Sequence, residues 1–206
     1  MSFDLDVALR RGDRSFACRI APAAGITVLF GPSGAGKTTV LNMVAGLVRP
    51  DRGHIRVRDL TLFDAAAGVD LPIAARQAGY VFQEPRLFPH LRVRTNLRYG
   101  SRRAAREGAL IDFDETVALL ELAPLLDRWP RTLSGGEARR VAIGRALLSG
   151  ARFLLLDEPL SSLDRNRREE VMRTIERLRD EIALPMLMVT HDPGEVERLA
   201  ATVVAM

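Results

Sequence analysis

The chain has 206 residues, 47% of them hydrophobic, so it is long enough to bury one large core and is expected to form one domain, with at most an inserted subdomain. Its net charge of +4 is modest, and its basic residues alternate with acidic ones, as in DRNRREEVMRTIERLRDE, so a nucleic-acid partner is not expected. The single cysteine excludes an internal disulfide, and no stretch approaches the roughly 20 apolar residues of a membrane-spanning helix, so a membrane role would require a partner protein.

The N-terminal segment predicts β structure followed by a strand, loop and helix. FDLDVAL and RSFACRI alternate apolar and polar residues around the turn RRGD, which predicts a β-hairpin with Phe16 on the same face as Cys18 and Ile20. GITVLFG is a short apolar run that precedes the helical pattern TTVLNMVAGL. HIRVRDLTLF predicts further strands, and AGYVFQ predicts a short buried strand that ends at Gln83.

A mostly helical insertion is predicted from residue 84 to about residue 129, because this region has several prolines, arginine-rich turns and the amphipathic segment DETVALLELAPLL. The pattern then predicts a helix at SGGEARRVAIGRALL, a strand at RFLLLDEP, a charged helix near residues 164–182, a strand at PMLMVTH and a late strand at ATVVAM. Strands that alternate with helices predict an α/β fold built on a parallel sheet.

GPSGAGKT, residues 31–38, matches the phosphate-loop pattern G-x-x-x-x-G-K-[ST] between a predicted strand and a predicted helix. Its glycines let backbone amides face a phosphate, and the helix that follows attracts an anion. Lys37 is the one lysine among 30 Lys plus Arg residues, which indicates a site that requires a compact ammonium. The predicted nucleotide-binding residues are Gly31, Pro32, Ser33, Gly34, Ala35, Gly36, Lys37, Thr38 and Thr39, and the Thr38 hydroxyl is a predicted Mg²⁺ ligand.

Two adjacent carboxylates follow the apolar run FLLL, where a buried parallel strand would meet the ligand-binding edge of the sheet. We predict that Asp157 holds Mg²⁺ through water and that Glu158 is the general base that polarises the attacking water. An acidic pair at a strand end is often only the start of a loop or a helix cap. The phosphate loop upstream favours the catalytic interpretation.

LSGGE, residues 133–137, is a candidate for two roles at a helix N-terminus. Ser134 and Glu137 have the spacing of a capping box, which is a purely structural role. Ser134, Gly135 and Gly136 also form a second helix N-terminus that is able to bind phosphate, in a chain that already has one. Two possible anion sites for one nucleotide are unexpected in a single chain.

The order of GPSGAGKT, Gln83, LSGGE, LLLDEP, SSLD and His191 resembles the ABC transporter ATPase family. The resemblance implies a P-loop NTPase of ABC-ATPase type, an α/β protein in which a mostly parallel core sheet is joined by an N-terminal antiparallel β part and an inserted helical subdomain. Residues 1–206 would form one ABC ATPase domain, in which residues 1–83 and 151–206 form the core and residues 84–150 the helical subdomain with the LSGGE signature.

Family resemblance also implies partners and residue roles. Two copies would form a head-to-tail homodimer that holds two ATP molecules, each between one chain's phosphate loop and the signature residues Ser134, Gly135 and Gly136 of the other. Gln83 would contact Mg²⁺ and the nucleophilic water, His191 would reach the γ-phosphate, and Asp164 would lie at the dimer contact. Glu158, His191 and Gln83 are thus the expected catalytic residues, and Thr38, Gln83 and Asp157 the expected Mg²⁺ ligands.

Within that family, GITVLFGPSGAGKT, LVRPDRGHI and GYVFQEPRLFPHLRVRTNLRYG resemble the ATPase subunits of molybdate importers. Such a subunit binds an integral membrane permease, acts indirectly with a substrate-binding protein, and lies peripherally on the cytoplasmic face of the bacterial inner membrane. Leu87, Phe88 and Pro89 would line the groove that receives the permease, or would belong to the core of the helical subdomain. The C-terminal oxyanion-binding domain of many such subunits is expected to be absent.

Three questions stay open at this point. Glu137 replaces the glutamine usual in the signature, and it either adds charge near a γ-phosphate or turns away as a cap. The hairpin reads RRGDR where the family often has an aromatic residue, so an arginine, Phe16 or no residue stacks on the adenine, and alternation favours Phe16 as core. The alternative functions are an importer ATPase for sulfate or another substrate, or a soluble ABC-type ATPase that acts on nucleic acid.

Overall fold

The computed structural model describes residues 3–101 and 111–206, and these form two five-stranded sheets with helices around them. No helix in these two ranges is long and apolar enough to cross a membrane. The strands are β1 Phe3–Arg11, β2 Arg14–Ile20, β3 Ile26–Phe30, β4 Arg52–Val57, β5 Leu60–Asp64, β6 Val69–Asp70, β7 Ala78–Val81, β8 Phe153–Asp157, β9 Met186–Thr190 and β10 Ala200–Ala205. The α-helices are α1 Lys37–Ala45, α2 Val93–Arg98, α3 Phe113–Leu119, α4 Gly135–Leu147, α5 Arg165–Arg177 and α6 Pro193–Leu199.

The N-terminal sheet is antiparallel, with the strand order β2-β1-β4-β5-β6. β1 and β2 form the predicted hairpin, in which Leu5 pairs with Ile20 and Val7 with Cys18. Alternation places Phe3, Leu5 and Val7 in the core, because successive side chains of a strand point to opposite faces. The expectation of further strands in HIRVRDLTLF is confirmed by β4 and β5.

The second sheet is parallel, with the strand order β10-β3-β9-β8-β7. Its three central strands are almost entirely buried, which agrees with their uninterrupted apolar sequences. β7 ends at Val81, so the prediction that this strand extends to Gln83 is wrong by two residues. The reason is a tertiary contact, since the backbone carbonyls of Phe82 and Gln83 accept hydrogen bonds from the side chain of Arg139 on α4.

Helices cover both faces of the parallel sheet. Side chains of α1 pack with Leu155, Leu187 and the antiparallel sheet in one hydrophobic cluster. Leu154, Leu156 and Met188 point the other way, into a cluster formed with α4 and α5. Between Glu84 and Trp129 the described residues form α2, α3 and a 3₁₀ turn at Ala123–Leu125, but loops and turns occupy more of this segment than helix does, so the prediction of a mostly helical insertion is not confirmed, and residues 102–110 lie outside the described residues.

One buried arginine joins the antiparallel sheet to the end of α1. Arg76 is 1% exposed, and its guanidinium donates hydrogen bonds to the carbonyls of Met43 and Val44 in the last turn of α1. It also donates to the Leu71 carbonyl and to Asp70 Oδ1, at 2.8 Å each. The arginine therefore caps carbonyls in the last turn of the helix, of which that of Met43 also accepts from the Gly46 N–H at 3.2 Å, and it holds the last strand of the antiparallel sheet against α1.

Replacing this arginine should destabilise the fold. We expect Arg76→Met to lower the free energy of unfolding by about 3 kcal/mol, because buried carbonyls and the Asp70 carboxylate lose a charged donor. The matched control is Arg49→Met, since Arg49 also pairs with Asp70, at 3.3 Å, but its side chain is 74% exposed. The control should cost less than about 1 kcal/mol in urea unfolding, and equal losses would contradict the role assigned to Arg76.

Candidate active site

The phosphate-loop sequence forms the connection between β3 and α1, as predicted. Gly34 and Gly36 have φ angles of 84° and 101°, a region that favours glycine. A Cβ at Gly36 would also lie 2.5 Å from Cδ1 of the Phe16 ring, so this position requires glycine for space as well. α1 begins at Lys37 with no side-chain cap and no acidic residue in its first turn, so its N-terminal amides are free of a competing carboxylate.

Lys37 is held inside this loop. The residue is 5% exposed, and its ammonium donates hydrogen bonds to the carbonyls of Gly31 at 2.7 Å and Pro32 at 2.8 Å. A buried ammonium among carbonyls and helix-terminal amides forms a concentrated positive site. The geometry is suited to an anion of high charge density, such as a polyphosphate.

Thr38 and Asp157 are 119 residues apart in sequence and in contact in the structure. The Thr38 hydroxyl donates a hydrogen bond of 3.0 Å to Asp157 Oδ1. Asp157 is 7% exposed, and burial raises the pKa of its carboxyl, although the hydrogen bond from Thr38 opposes this rise. A hydroxyl and a carboxylate on one side of the loop are the hard oxygen donors that Mg²⁺ uses beside a phosphate, so these residues fit that ion.

Sequence reasoning did not identify two residues beside Asp157. The Tyr80 hydroxyl lies 3.1 Å from Asn42 Oδ1 and 3.4 Å from Asp157 Oδ2, and it can donate its proton to either oxygen. Burial raises the pKa of Tyr80, so this hydroxyl stays protonated. No motif marks the two positions, but both contribute polar side chains to predominantly apolar elements that flank the site, and that was the available signal.

Glu158 lies between Gln83 and His191. Its Oε2 is 3.4 Å from Gln83 Nε2, and its Oε1 is 3.3 Å from His191 Nδ1. The backbone of Glu158 has φ 46°, an uncommon conformation for a residue with a side chain, and its N–H is held by the Val189 carbonyl at 3.1 Å. All three predicted catalytic side chains therefore converge at the same edge of the sheet.

A cavity of about 290 Å³ joins Glu158 to the phosphate loop. Phe16 is half-buried and contributes both to the adjoining hydrophobic cluster and to the wall of this cavity, which Arg14 also lines. Its interpretation as a core residue therefore describes only part of its surroundings. The residues that line the cavity are Arg14, Phe16, Ser33, Gly34, Gly36, Lys37, Thr38, Thr39 and Glu158.

The LSGGE segment begins α4 with the capping box that its spacing predicts. The Ser134 hydroxyl accepts from the Glu137 N–H at 3.2 Å, and Glu137 Oε2 accepts from the Ser134 N–H at 2.6 Å. Glu137 Oε1 also pairs with Arg128 at 3.0 Å. Partial burial alone would raise the pKa of the Glu137 carboxyl, but these hydrogen bonds and the nearby guanidinium lower it overall. Within the chain, Glu137 therefore turns back toward its own helix cap.

The signature glycines approach two neighbours of Asp164 at the start of α5. Asp164 caps α5 by accepting from the Arg167 N–H at 3.1 Å. A Cβ at Gly135 would lie 2.9 Å from Leu163 Cδ2, and one at Gly136 would lie 3.2 Å from Arg167 Cβ. These close approaches pack the N-terminus of α4 against the loop that contains SSLD, and the contacts that this signature makes inside the chain are separate from those of the phosphate loop.

Comparison with known proteins places this geometry in a family. The family model described as ABC transporter matches residues 20–161. The chain is 55% identical over 202 residues to the molybdenum import ATP-binding protein ModC of Brucella abortus (strain 2308), covering 97% of this chain and 56% of that protein. It is 50% identical over 204 residues to the ModC protein of Mesorhizobium japonicum, covering 99% of this chain and 55% of that protein. The chain thus spans about half the length of these curated relatives.

Solved structures share the fold. The ATP-binding cassette MJ0796, in a dimeric post-hydrolysis state bound to ADP and Pi, matches with a TM-score of 0.73 and 23% identity over 100% of this chain and 93% of that chain. The cbiO1 protein of Clostridium perfringens, part of the ABC transporter complex cbiONQ, matches with a TM-score of 0.80 and 23% identity, covering 100% of this chain and 85% of that chain. The family match, the convergence of the motif residues and the shared fold together establish that this chain belongs to the ABC transporter family.

Proposed function

We propose that this chain is the ATP-hydrolysing motor of an ABC importer and that the imported substrate is molybdate. The observation that carries the ATPase proposal is the 3.0 Å contact between Thr38 and Asp157, with Glu158 following Asp157 directly in the chain. That contact joins the phosphate loop to the carboxylates at the end of β8. A phosphate site, a metal-binding pair and a carboxylate base then lie at one edge of the sheet, as phosphoryl transfer requires.

The triphosphate of ATP is proposed to lie along residues 31–39. The uncapped amides of α1 and the Lys37 ammonium would neutralise the β- and γ-phosphates. Thr38, Asp157 and Gln83 would hold Mg²⁺, which when bound supplies positive charge against the phosphate oxygens. Arg14 and Phe16 lie on the wall of the same cavity and are the described residues available to contact the adenosine part of the nucleotide.

Hydrolysis needs a water that is oriented and deprotonated as it attacks. We assign Glu158 as the group that accepts the proton while the water oxygen bonds to the γ-phosphorus. The bond between the γ-phosphorus and the β–γ bridging oxygen breaks, and its electron pair leaves with ADP. Gln83 and His191, which flank the two Glu158 oxygens, would orient the water and bind the γ-phosphate oxygens.

A second copy of the chain is the proposed source of the other half of each site. Ser134, Gly135 and Gly136 begin a 13-residue helix, and Gly135 is exposed at that N-terminus. These residues would bind the γ-phosphate held by the partner, which accounts for two phosphate-binding helix ends in one chain. Asp164 lies on the adjoining loop and is proposed to contact the partner. Closure of this head-to-tail homodimer would be the motion that ATP binding drives.

The helical segment is the proposed contact with a membrane permease, so that the chain would lie peripherally on the cytoplasmic face of the bacterial inner membrane. Residues 84–150 would form a helical subdomain on a core of residues 1–83 and 151–206. A cavity of about 190 Å³ is lined by Phe88, Tyr99 and Arg145 among others. Tyr99 is 65% exposed, and its ring centroid lies 4.3 Å from that of Phe88. Such an exposed aromatic surface is suited to receive a short helix.

Molybdate is proposed as substrate from the relatives that share half or more of their aligned residues with this chain. Their printed names describe molybdenum import. The ATPase itself would not touch the oxyanion, which a substrate-binding protein would deliver to the permease. The test of this part of the proposal is therefore a coupled assay rather than a binding assay on this chain.

Lys37 should contribute strongly to the affinity for ATP. We expect Lys37→Ala to weaken ATP affinity by about tenfold to a hundredfold, because charge-assisted contacts with the phosphates are lost. Arg152→Ala is the matched control, since it removes the same charge at the opposite end of β8, where Arg152 pairs with Asp59 at 3.1 Å. Titration with a fluorescent ATP analogue measures both, and unchanged affinity in Lys37→Ala would contradict the assigned phosphate loop.

Substitution of Glu158 should impair hydrolysis without impairing ATP binding. We expect Glu158→Gln to bind ATP normally and to lower kcat by about 10²-fold or more, since the amide cannot accept the proton. In gel filtration with ATP and Mg²⁺ the variant should elute as a dimer. Glu121→Gln, which changes a carboxylate 76% exposed, is the control for charge. A Glu158→Gln chain that stays monomeric with ATP would argue against the composite site.

The imported substrate can be tested in reconstituted vesicles. We expect ATP turnover by the complex with its permease and substrate-binding protein to rise when molybdate is added, because the loaded binding protein favours the closed dimer. Sulfate is the comparison anion, and the chain without its partners is the baseline. If only sulfate stimulates ATP turnover, the proposed ATPase function stands and molybdate is wrong as the proposed substrate.

A further inference from the structure

Arg139 is a buried arginine on α4 that no motif or catalytic role accounts for. It lies five residues after the cap Ser134 and is 4% exposed. One terminal nitrogen of its guanidinium donates to the carbonyls of Phe82, at 3.0 Å, and Gln83. The other donates to the Ser161 carbonyl at 3.4 Å. A side chain of the signature helix thus holds the backbones of two other loops.

Its electrostatic surroundings are unusual. Among the residues that the structure describes, Arg139 forms no ion pair, and its Nε has no hydrogen-bond partner. The next residue, Arg140, is partly buried too but lies 3.7 Å from Glu121 and 3.8 Å from Glu170. A buried cation that faces only neutral carbonyls carries an uncompensated desolvation cost. The position is therefore poorly explained by stability alone.

The carbonyls that Arg139 holds belong to the immediate surroundings of Glu158. The side-chain amide of Gln83 reaches Glu158 Oε2 at 3.4 Å. Ser161 donates from its N–H and its hydroxyl to the Glu158 carbonyl, at 3.2 and 2.9 Å. Gln83, Glu158 and Ser161 also line one cavity, of about 250 Å³. Arg139 is thus one residue away from Glu158 along two routes, of which the Gln83 route reaches the Glu158 carboxylate and the Ser161 route reaches its backbone carbonyl.

We propose that Arg139 is a positioning residue that ties the helix beginning at Ser134 to the backbone of Gln83, so that any shift of α4 moves the Gln83 side chain relative to Glu158. The inference rests on the proposed ATPase function and deepens it. A signature engaged by the partner's nucleotide would then act on the water-orienting glutamine of its own chain through one guanidinium. Arg139 touches neither substrate nor reacting atoms and acts through Gln83.

A double-mutant cycle on ATP turnover tests this role. We expect Arg139→Met to lower kcat about tenfold while KM for ATP stays within about twofold, because Gln83 loses its orientation and the phosphate loop does not change. In the Gln83→Ala background the same substitution should lower kcat by less than about twofold, since the group it positions is already absent. Arg139→Lys, which keeps a cation with N–H donors, should recover part of the loss.

Arg140→Met is the matched control, because it removes the neighbouring guanidinium of the same helix, whose partners are the Leu120 and Glu121 carbonyls and two carboxylates. In the Gln83→Ala background, Arg140→Met should lower kcat by the same factor as it does in the wild-type chain. If Arg139→Met unfolds the chain, the milder Arg139→Gln enters the cycle instead. If Arg139→Met lowers kcat by the same factor with and without Gln83→Ala, or changes only KM, the inference about Arg139 is overturned and the proposed ATPase function still stands. A wild-type chain that does not hydrolyse ATP would overturn both this inference and the proposed ATPase function.

Discussion

The parallel pairing of β3, β9 and β8 is the constraint on which the site depends. Parallel strands end at the same edge of a sheet, so the loops that follow them meet there. Phe30 pairs with Thr190, and Val189 pairs with Asp157. This register brings the phosphate loop, His191 and Glu158 to one edge, although they come from three distant parts of the chain. The 3.0 Å contact between Thr38 and Asp157 is a direct consequence of it.

Buried side chains with a positive charge divide into two physical roles. Lys37 presents a compact ammonium at the N-terminus of α1, where a single concentrated charge suits a phosphate. Arg76 and Arg139 instead spread several donors over backbone carbonyls of separate segments. The planar guanidinium, with five N–H groups, can cross-link loops in a way that an ammonium cannot. The chain uses its one lysine at the position where cross-linking is not required.

Local rules predicted much of the fold. The hairpin of β1 and β2 followed from period-two alternation, and the capping box at Ser134 followed from the spacing of a hydroxyl and a carboxylate. The end of β7 was misplaced by two residues because Arg139 captures the carbonyls of Phe82 and Gln83, a long-range contact that periodicity does not register. Tyr80 and Asn42 were missed for the same reason, since their meeting with Asp157 depends on sheet order.

The sequence by itself determined the nature of the chemistry, because the phosphate loop, the acidic pair after FLLL and the LSGGE segment are contiguous patterns whose residue types and spacing carry their meaning. Only the tertiary structure decided that Glu137 turns back to Ser134 and Arg128, and that Glu158 lies between Gln83 and His191. It alone decided the contacts of the guanidinium of Arg139. The physical reason is that a side chain's partners across tens of residues are set by strand order and packing, which neither composition nor period encodes.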